Sequence, residues 1–346
     1  MAESAPPLVL VTGASGFVST WLIKELLEKG EYRVRGTVRD KSKEEKVQPV
    51  LDLVPNAKYP LELVEVDLND KDCWGPAVNG CSYVFHVASP FPPPGSPPKD
   101  ENECIVPAVN GVINVFTASS KSGTVKRVVL TGSTVAIKGY GGIPGHPSDC
   151  EYTEEDWMPE ENTDPYVKSK IMAERAAWDF MNKLDNEQKF ELVVVNPSLI
   201  QGPILSAASG IGSAAFSTML LEQKIPMWNI CVGVIDVRDV ATAEIAAMFT
   251  PSAAGKRFIL ACGTVTGKEF SKIVKDEFEP HGYTVSMLEE PSIEKYTFNN
   301  SQLRNELGVT PRPIKQAIID TCYSMIDLGF ISKSPSYFGR PKSQDK

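Results

Sequence analysis

The chain has 346 residues, 42% of them hydrophobic and 23% charged, with a formal charge of −9; this is ordinary globular composition with ample apolar residues for a large core. An acidic chain without a Lys/Arg cluster is not built to hold phosphate backbones, which excludes nucleic acid as a partner and favours a small molecule. One large domain with a smaller lobe, or two domains, is expected.

The N-terminal stretch Met1–Pro7 has no basic region followed by an apolar run, and no later segment is long and apolar enough to span a bilayer, so a cytoplasmic protein with no membrane partner is expected. The seven cysteines are scattered without a Cys-x-x-Cys, which fits reduced thiols. His86, His146 and His281 lie far apart with no metal-ligand spacing, so no metal is expected.

Leu8-Val9-Leu10-Val11 is an unbroken apolar run, as a strand buried on both faces should be, and it stops at Thr12-Gly13-Ala14-Ser15-Gly16. Val18, Trp21, Leu22, Ile23, Leu26 and Leu27 then give a helix a broad apolar face, closed by Gly30. Strand, glycine turn and helix make the start of a dinucleotide-binding unit. Gly13 and Gly16 let backbone approach a pyrophosphate, and the helix N-terminus supplies N–H groups and positive potential. The third small position falls on Ser19, whose extra atoms predict a slightly displaced helix.

A second strand, Tyr32–Val38, ends at Arg39-Asp40. An arginine there meets the extra phosphate of NADP, whereas an acid accepts from the ribose hydroxyls of NAD. Arg39 comes first, and Lys43 and Lys46 add positive charge on the next helix, so NADPH is favoured. Asp40 points the other way, and a solvated Lys/Glu face is the plainer account of Lys43 to Lys46. The third strand, Leu61–Leu68, puts Asp67 at its carboxyl end, where it could accept from an adenine amino group. The fourth, Ser82–Val87, leads into Ala88-Ser89-Pro90. Ligands sit at the carboxyl ends of such strands, so both tips are candidate cofactor contacts.

Phe91–Pro98 is a stiff extended loop, either a wall of the site or a connector. A helix over 102–120 precedes a fifth strand, Arg127–Leu130, ending at Thr131-Gly132-Ser133-Thr134. Ser133 at this tip can donate a hydrogen bond to a carbonyl oxygen, although serine after a strand is common. After a Gly-, Pro- and acid-rich loop over 138–162, Asp164 suits an N-cap and Pro165 the first helical position. Apolar residues recur at helical spacing from Ile171 to Phe180, so Tyr166 and Lys170, four apart, share a face. A phenol titrates near about 10, and a fixed positive charge nearby lowers that value. Tyr166 would then be a general acid and Lys170 its tuner, although such pairs are also commonplace on helix surfaces.

A sixth strand, Leu192–Val195, runs into Asn196-Pro197-Ser198-Leu199-Ile200-Gln201-Gly202-Pro203. Beyond it the alternation of strand and helix loosens: a Ser/Ala/Gly-rich piece over 206–217 leads into a helix ending near Gln223, and Val232–Val240 reads as strand then helix N-terminus. The expected fold is α/β, a Rossmann-type doubly wound parallel sheet with a smaller mixed α/β substrate-binding lobe. Residues 1–200, with 230–255 returning, make the dinucleotide-binding domain. Residues 201–229 and 256–333 make the lobe, with helices near 268–279 and 313–328, and 334–346 a loosely ordered polar tail.

Taken in order, Gly13-Ala14-Ser15-Gly16-Phe17-Val18, Arg39, Asp67-Leu68, His86-Val87-Ala88-Ser89-Pro90, Ser133 and Tyr166-x-x-x-Lys170 resemble the extended short-chain dehydrogenase/reductases. Thr37–Asp40, Pro197–Pro203 and Asp236–Ala241 narrow the resemblance to the branch of dihydroflavonol reductases, cinnamoyl-CoA reductases and yeast methylglyoxal/aldehyde reductases. The resemblance implies NADPH-dependent carbonyl reduction, in which Ser133 and Tyr166 hold the substrate carbonyl, Lys170 also binds the nicotinamide ribose, and Tyr166 protonates the alkoxide formed by hydride transfer. It further implies cofactor contacts from Gly13, Ser15, Gly16, Phe17, Val18, Arg39, Lys46, Asp67, Leu68, Val87, Ala88, Ser89, Tyr166, Lys170, Pro197 and Ile200.

Two departures stand out: Ser19 replaces a glycine, and Thr131-Gly132-Ser133 replaces the commoner Thr-Ser-Ser. The stretch Thr134–Lys138 also lacks the asparagine with which flavonoid reductases grip a hydroxylated ring, which argues against a dedicated dihydroflavonol reductase. An NAD-retaining nucleotide-sugar epimerase or steroid dehydrogenase relative is an alternative from which Arg39 points away. A non-catalytic NADPH-binding module is another, from which Tyr166 and Lys170 point away. The expected partner is a small-molecule carbonyl substrate, and the chain a monomer or homodimer.

Overall fold

The structure is a computed structural model that describes residues 5–341 except 91–97, 99, 148, 162, 186–188, 210–211, 224–230 and 290–294. The stiff loop expected over Phe91–Pro98 therefore lies outside the described residues, Pro98 apart.

The apolar runs form one seven-stranded parallel sheet in the order β3 (Glu62–Glu65), β2 (Arg33–Val38), β1 (Leu8–Val11), β4 (Tyr83–His86), β5 (Arg127–Thr131), β7 (Glu191–Pro197) and β10 (Arg257–Leu260). Successive strand residues point to opposite faces, and both faces are covered. Val9, Val11, Phe85, Val129, Val193 and Val195 pack with α1 (Phe17–Lys29) and α8 (Val237–Phe249). Leu10, Val84, Val128, Leu130, Leu192 and Val194 pack with α3 (Trp74–Val78), α4 (Asn102–Ser122) and α6 (Pro165–Lys183). Burial on both faces is why these strands read as continuous apolar runs. Two shorter helices flank this unit, α2 (Glu44–Leu51) after β2 and α5 (Val135–Lys138) after β5.

The smaller lobe carries a three-stranded sheet, β11 (Gly263–Thr266), β9 (Cys231–Asp236) and β8 (Leu199–Gln201), and a two-stranded one, β12 (Thr297–Phe298) with β6 (Glu151–Tyr152). Its helices are α7 (Ala215–Leu221), α9 (Gly267–Phe278), α10 (Ser301–Asn305) and α11 (Ile314–Asp327). Phe270, Val274 and Ile318 belong to the same apolar cluster as Leu22 and Val195, so the lobe shares its core with the sheet. Arg238 of α8 holds Asp236 through two hydrogen bonds of 2.8 and 2.6 Å and reaches Asp320 of α11 at 2.6 Å, which fixes the lobe to the helix layer.

Three expectations change. Residues from 256 onward do not all lie in the lobe, because Arg257–Leu260 closes the edge of the parallel sheet, in register with Val194–Pro197. The strand accepts an arginine because its guanidinium is answered on every side: Nε donates to Glu174 Oε1 at 2.6 Å, Nη1 to the carbonyls of Glu154 and Asp156, and the plane lies 3.8 Å from the Trp157 ring. The strand near 232–236 does not return to the parallel sheet but pairs with β8 and β11; it is α8 that returns. The described part of the tail is anchored, since Tyr337 Oη donates to Asp327 at 3.0 Å and Phe338 stacks on His281 at 3.8 Å. Two aromatic residues in an otherwise polar stretch supply that hold. Among the described residues no helix is long and apolar enough to cross a membrane.

Arg257 and Glu174 are 8% and 1% exposed, and removing one partner of such a pair leaves an uncompensated buried charge. Glu174→Ala is expected to lower the unfolding free energy by about 3 kcal/mol or more in urea titration, and a loss near zero would mean that the pair does not hold β10 to α6.

Candidate active site

The chain leaves β1 at Gly13 with φ +69°, and a Cβ there would come within 3.0 Å of Ala88 Cβ, so backbone and space both require glycine. The Gly13 N–H donates to Thr37 Oγ1 at 2.9 Å. Gly16 opens α1 in an extended conformation, with no side-chain cap and no acid in the first turn. First-turn amides without a side-chain acceptor, at the positive end of the helix, make a cradle for an anion. Ser15 and the buried Phe17 and Val18 border this turn. Ser19 is buried and its hydroxyl donates to the Thr12 carbonyl at 3.2 Å, so the atoms that replace glycine are absorbed by a hydrogen bond between helix and strand tip.

Thr12 Oγ1 accepts from the N–H groups of Val87 and Ala88 at 3.0 and 2.9 Å and lies 3.1 Å from His86 Nδ1. With two N–H donors already on its oxygen, the hydroxyl gives its own hydrogen to Nδ1. That bonding assigns a neutral imidazole with its proton on Nε2. Burial pulls His86 down to about 3, and the charge of Lys170 pulls the same way.

Along the β2–β3 edge, Asp40 is turned into its own loop, accepting from Ser42 Oγ at 2.6 Å and Ser42 N–H at 2.9 Å. Those bonds hold its carboxyl below the usual carboxylate range. Arg39 and Lys46 are exposed at the same edge. The exposed Asp67 accepts from the Asn69 N–H at 2.8 Å, and the Leu68 carbonyl accepts from Asn114 Nδ2 at 2.8 Å.

At the tip of β5, three successive amides are held by β7. Gly132 N–H donates to the Val195 carbonyl at 2.8 Å, Ser133 N–H to Asn196 Oδ1 at 2.9 Å and Thr134 N–H to the Pro197 carbonyl at 3.0 Å. Just beyond Pro197, the carbonyl of Ile200 in β8 accepts from Ser213 Oγ at 2.9 Å. Asp164 caps α6 as expected, accepting from the Tyr166 and Val167 N–H groups at 2.9 and 3.4 Å. The short α5 packs Ala136 against Val167 and Ile171, which brings the Ser133 turn to the N-terminal end of α6. Lys138 of α5 points away from that end, its ammonium 4.1 Å from the Tyr296 ring centre and donating to the carbonyls of Gly139 and Tyr140.

Lys170 Nζ lies 5.7 Å from the centre of the Tyr166 ring. The lysine is buried, and burial pulls it down to about 8. Tyr166 is pushed above its ordinary value, first by burial and then by Tyr140, Cys104 and Asp164. This reverses the expectation that Lys170 lowers the phenol: withdrawal from water disfavours phenolate and ammonium alike and outweighs their attraction at this separation. A small cavity with room for about one water lies between Lys170 and Glu174 of α6, His86 at the end of β4 with Ala88 and Ser89 after it, and Thr131 at the end of β5 with Gly132 after it; Ser133 and Tyr166 are not among its lining residues. The glycine turn, the β4 and β5 tips and Lys170 thus meet at one edge of the sheet, and Arg39, Lys46, Asp67 and Leu68 lie along the same edge beyond β2 and β3.

Comparison with known proteins bears on what such an edge does. The NAD dependent epimerase/dehydratase family matches residues 9–263. Cinnamoyl-CoA reductase 1 of Petunia hybrida is 34% identical over 337 residues, 96% of each chain. Dihydroflavonol 4-reductase of Arabidopsis thaliana is 32% identical over 340 residues, 95% of this chain and 85% of that one. Among solved structures, yeast methylglyoxal/isovaleraldehyde reductase complexed with NADPH aligns with a TM-score of 0.79 at 27% identity, over 93% of this chain and 99% of that chain.

Four residues at this edge receive no role of their own from the sequence pattern: Thr12, Thr37, Asn196 and Glu244. Glu244 is fully buried in α8 and accepts from Thr131 Oγ1 at 2.6 Å. The only hint of it is an acid within the otherwise small and apolar run Ala241–Met248. Burial pushes its carboxyl up to about 7, against the opposing hydrogen bond from Thr131. Between the ordinary carboxyl value and 7 the folded chain holds a proton that the unfolded chain has lost, so this group makes stability fall as pH rises through that window. Glu244→Gln keeps an acceptor for Thr131 and removes the slope. In urea titrations from pH 5 to 7 the variant is expected to gain on the wild type by about 1.4 kcal/mol per pH unit, and a pH-independent difference would contradict this assignment.

Proposed function

Because the chain belongs to the NAD dependent epimerase/dehydratase family, within the extended short-chain dehydrogenase/reductases, we propose that it reduces a small or aromatic aldehyde or ketone with NADPH. In this reading Tyr166 is the general acid, Lys170 its charged partner and Ser133 the group that orients the carbonyl. The chain is an NADP-dependent oxidoreductase. What supports the assignment to this edge is the burial of Lys170, one turn after Tyr166, against the tips of β4 and β5.

The residues present suit a dinucleotide. Gly13, Ser15, Gly16, Phe17 and Val18 would hold the pyrophosphate on the first-turn amides, after a turn whose positive φ and close approach to Ala88 require glycine at 13. Arg39 and Lys46 would meet the 2′-phosphate, and with Asp40 bound to Ser42 the acid that argued for NAD is directed elsewhere. Asp67 and Leu68 would border the adenine, and Val87, Ala88, Ser89, Pro197 and Ile200 the remainder. Bound NADPH supplies the hydride.

The protein's own part is to receive oxygen charge as it develops. Ser133 Oγ accepts from the Val135 N–H at 3.3 Å, which leaves its hydroxyl hydrogen to donate to the substrate carbonyl. Tyr166, kept protonated by burial, gives its proton to the alkoxide. Lys170, still a cation at neutral pH with a value of about 8, stabilises the phenolate left behind. These donors act most strongly when the oxygen carries charge, which lowers the barrier rather than tightening the ground state. An epimerase that recycles NAD has less support, since Arg39 and Lys46 then meet no phosphate.

Tyr166→Phe is expected to lower kcat by about 10³-fold, with NADPH affinity within about 3-fold of wild type, as read by single-turnover kinetics and fluorescence titration. A residual rate above a tenth would remove Tyr166 as the acid. Arg39→Ala is expected to raise the Kd for NADPH at least about 10-fold, or about 1.4 kcal/mol, while barely changing that for NADH; equal losses would place the phosphate on other groups. The rates in the Tyr166→Phe test come from NADPH consumption with the best substrate among aldehydes, α-diketones, β-ketoesters, flavonoids and acyl-CoA thioesters.

A further inference from the structure

Between Gly132 N–H on the Val195 carbonyl and Thr134 N–H on the Pro197 carbonyl, the Ser133 N–H is bonded to no main-chain carbonyl. A side chain answers it: Asn196 Oδ1 accepts at 2.9 Å. Asn196 is fully buried, and its Nδ2 has no hydrogen-bond partner among the described residues. A buried amide with one end unpaired is a cost to the fold, and such groups call for a reason beyond stability. Gly132 gives way to the same contact. It has no positive φ to require glycine, yet a Cβ there would lie well inside van der Waals contact distance of Asn196 Oδ1. A side chain at 132 would make the Asn196 carboxamide turn from where it now sits.

We infer that Asn196 is a positioning residue for Ser133: its carboxamide clamps the middle of three amides and thereby sets where the Ser133 hydroxyl points. The inference rests on the role of Ser133 proposed above. Asn196 acts only through Ser133, and its effect belongs to the chemical step, because a displacement of about 1 Å at an orienting group can cost about 10²-fold in rate.

The test is a double-mutant cycle on the full chain, with kcat, substrate KM and NADPH affinity read for each variant. Asn196→Leu keeps the volume and removes the acceptor, and Asn196→Asp keeps an acceptor oxygen. The Leu variant is expected to lose about 10- to 100-fold in kcat with KM and NADPH affinity within about 3-fold, and the Asp variant to recover most of the loss. In a Ser133→Ala background the Leu substitution is expected to cost less than about 3-fold, since residues acting as one unit are not additive. Full additivity, or a Leu variant with wild-type kcat beside a crippled Ser133→Ala, overturns the inference and leaves the Ser133 reading standing. A Ser133→Ala variant with wild-type kcat overturns both. Should the Leu variant fail to bind NADPH or to melt cooperatively, Asn196→Ala, which adds no bulk beside Gly132, is read in the same cycle against the same outcomes.

Discussion

Side-chain oxygens at the strand tips carry hydrogen bonding past the point where the parallel ladder stops, and the site is built on them. The register sets Val11 level with Phe85, Phe85 with Val129 and Thr131 with Val195, so β1, β4, β5 and β7 release their chains side by side. Residues beyond those exits have left the ladder, yet their N–H groups still need acceptors where water is scarce. Thr37 answers Gly13, Thr12 answers Val87 and Ala88, and Asn196 answers Ser133. Each of these bonds joins a neighbouring strand, so the glycine turn, the β4 tip and the serine turn are positioned against one another rather than separately.

Burial then decides the charges at this edge. It drives His86 and Glu244 toward their neutral forms and keeps the Tyr166 phenol protonated. Lys170, pulled down only to about 8, keeps its charge at neutral pH. A cation beside the neutral His86 imidazole and Tyr166 phenol suits a reaction in which negative charge appears on oxygen and must be compensated at once. The ion pair between Arg257 and Glu174, one turn along α6 from Lys170, secures that helix to the sheet edge. The arginine that the sequence pattern hides inside a strand is thus part of what holds the lysine in place.

Much of this was legible in the chain because it depends on local chemistry. The unbroken apolar run ending at Gly13 and the apolar-rich stretches ending at Arg39, Ser89 and Ser133 could be read as parallel strands and their tips, and Tyr166 with Lys170 could be read from helical spacing after the Asp164-Pro165 start. Less was legible where the third dimension decides. Arg257-Phe258-Ile259-Leu260 is four residues long and begins with a charge, so only the presence of Glu174 and Trp157 makes it a sheet strand. Asn196 before a proline reads as a turn residue until Gly132 is seen to make room for it. The direction of the Tyr166 shift came out reversed because spacing reports a neighbour's charge but not how much water has been lost.

The central claim is that residues 13–18, 87–89, 133, 166 and 170 surround a single dinucleotide with its reactive end at the Ser133 and Tyr166 hydroxyls. A crystal structure of the chain with NADP⁺ tests it most directly. The account predicts the pyrophosphate on the first-turn amides of α1, the 2′-phosphate at Arg39, and the nicotinamide C4 facing a space bounded by Ser133 Oγ and Tyr166 Oη. A dinucleotide bound away from that edge, or a Tyr166 hydroxyl directed into bulk water on the far side of α6, would contradict it.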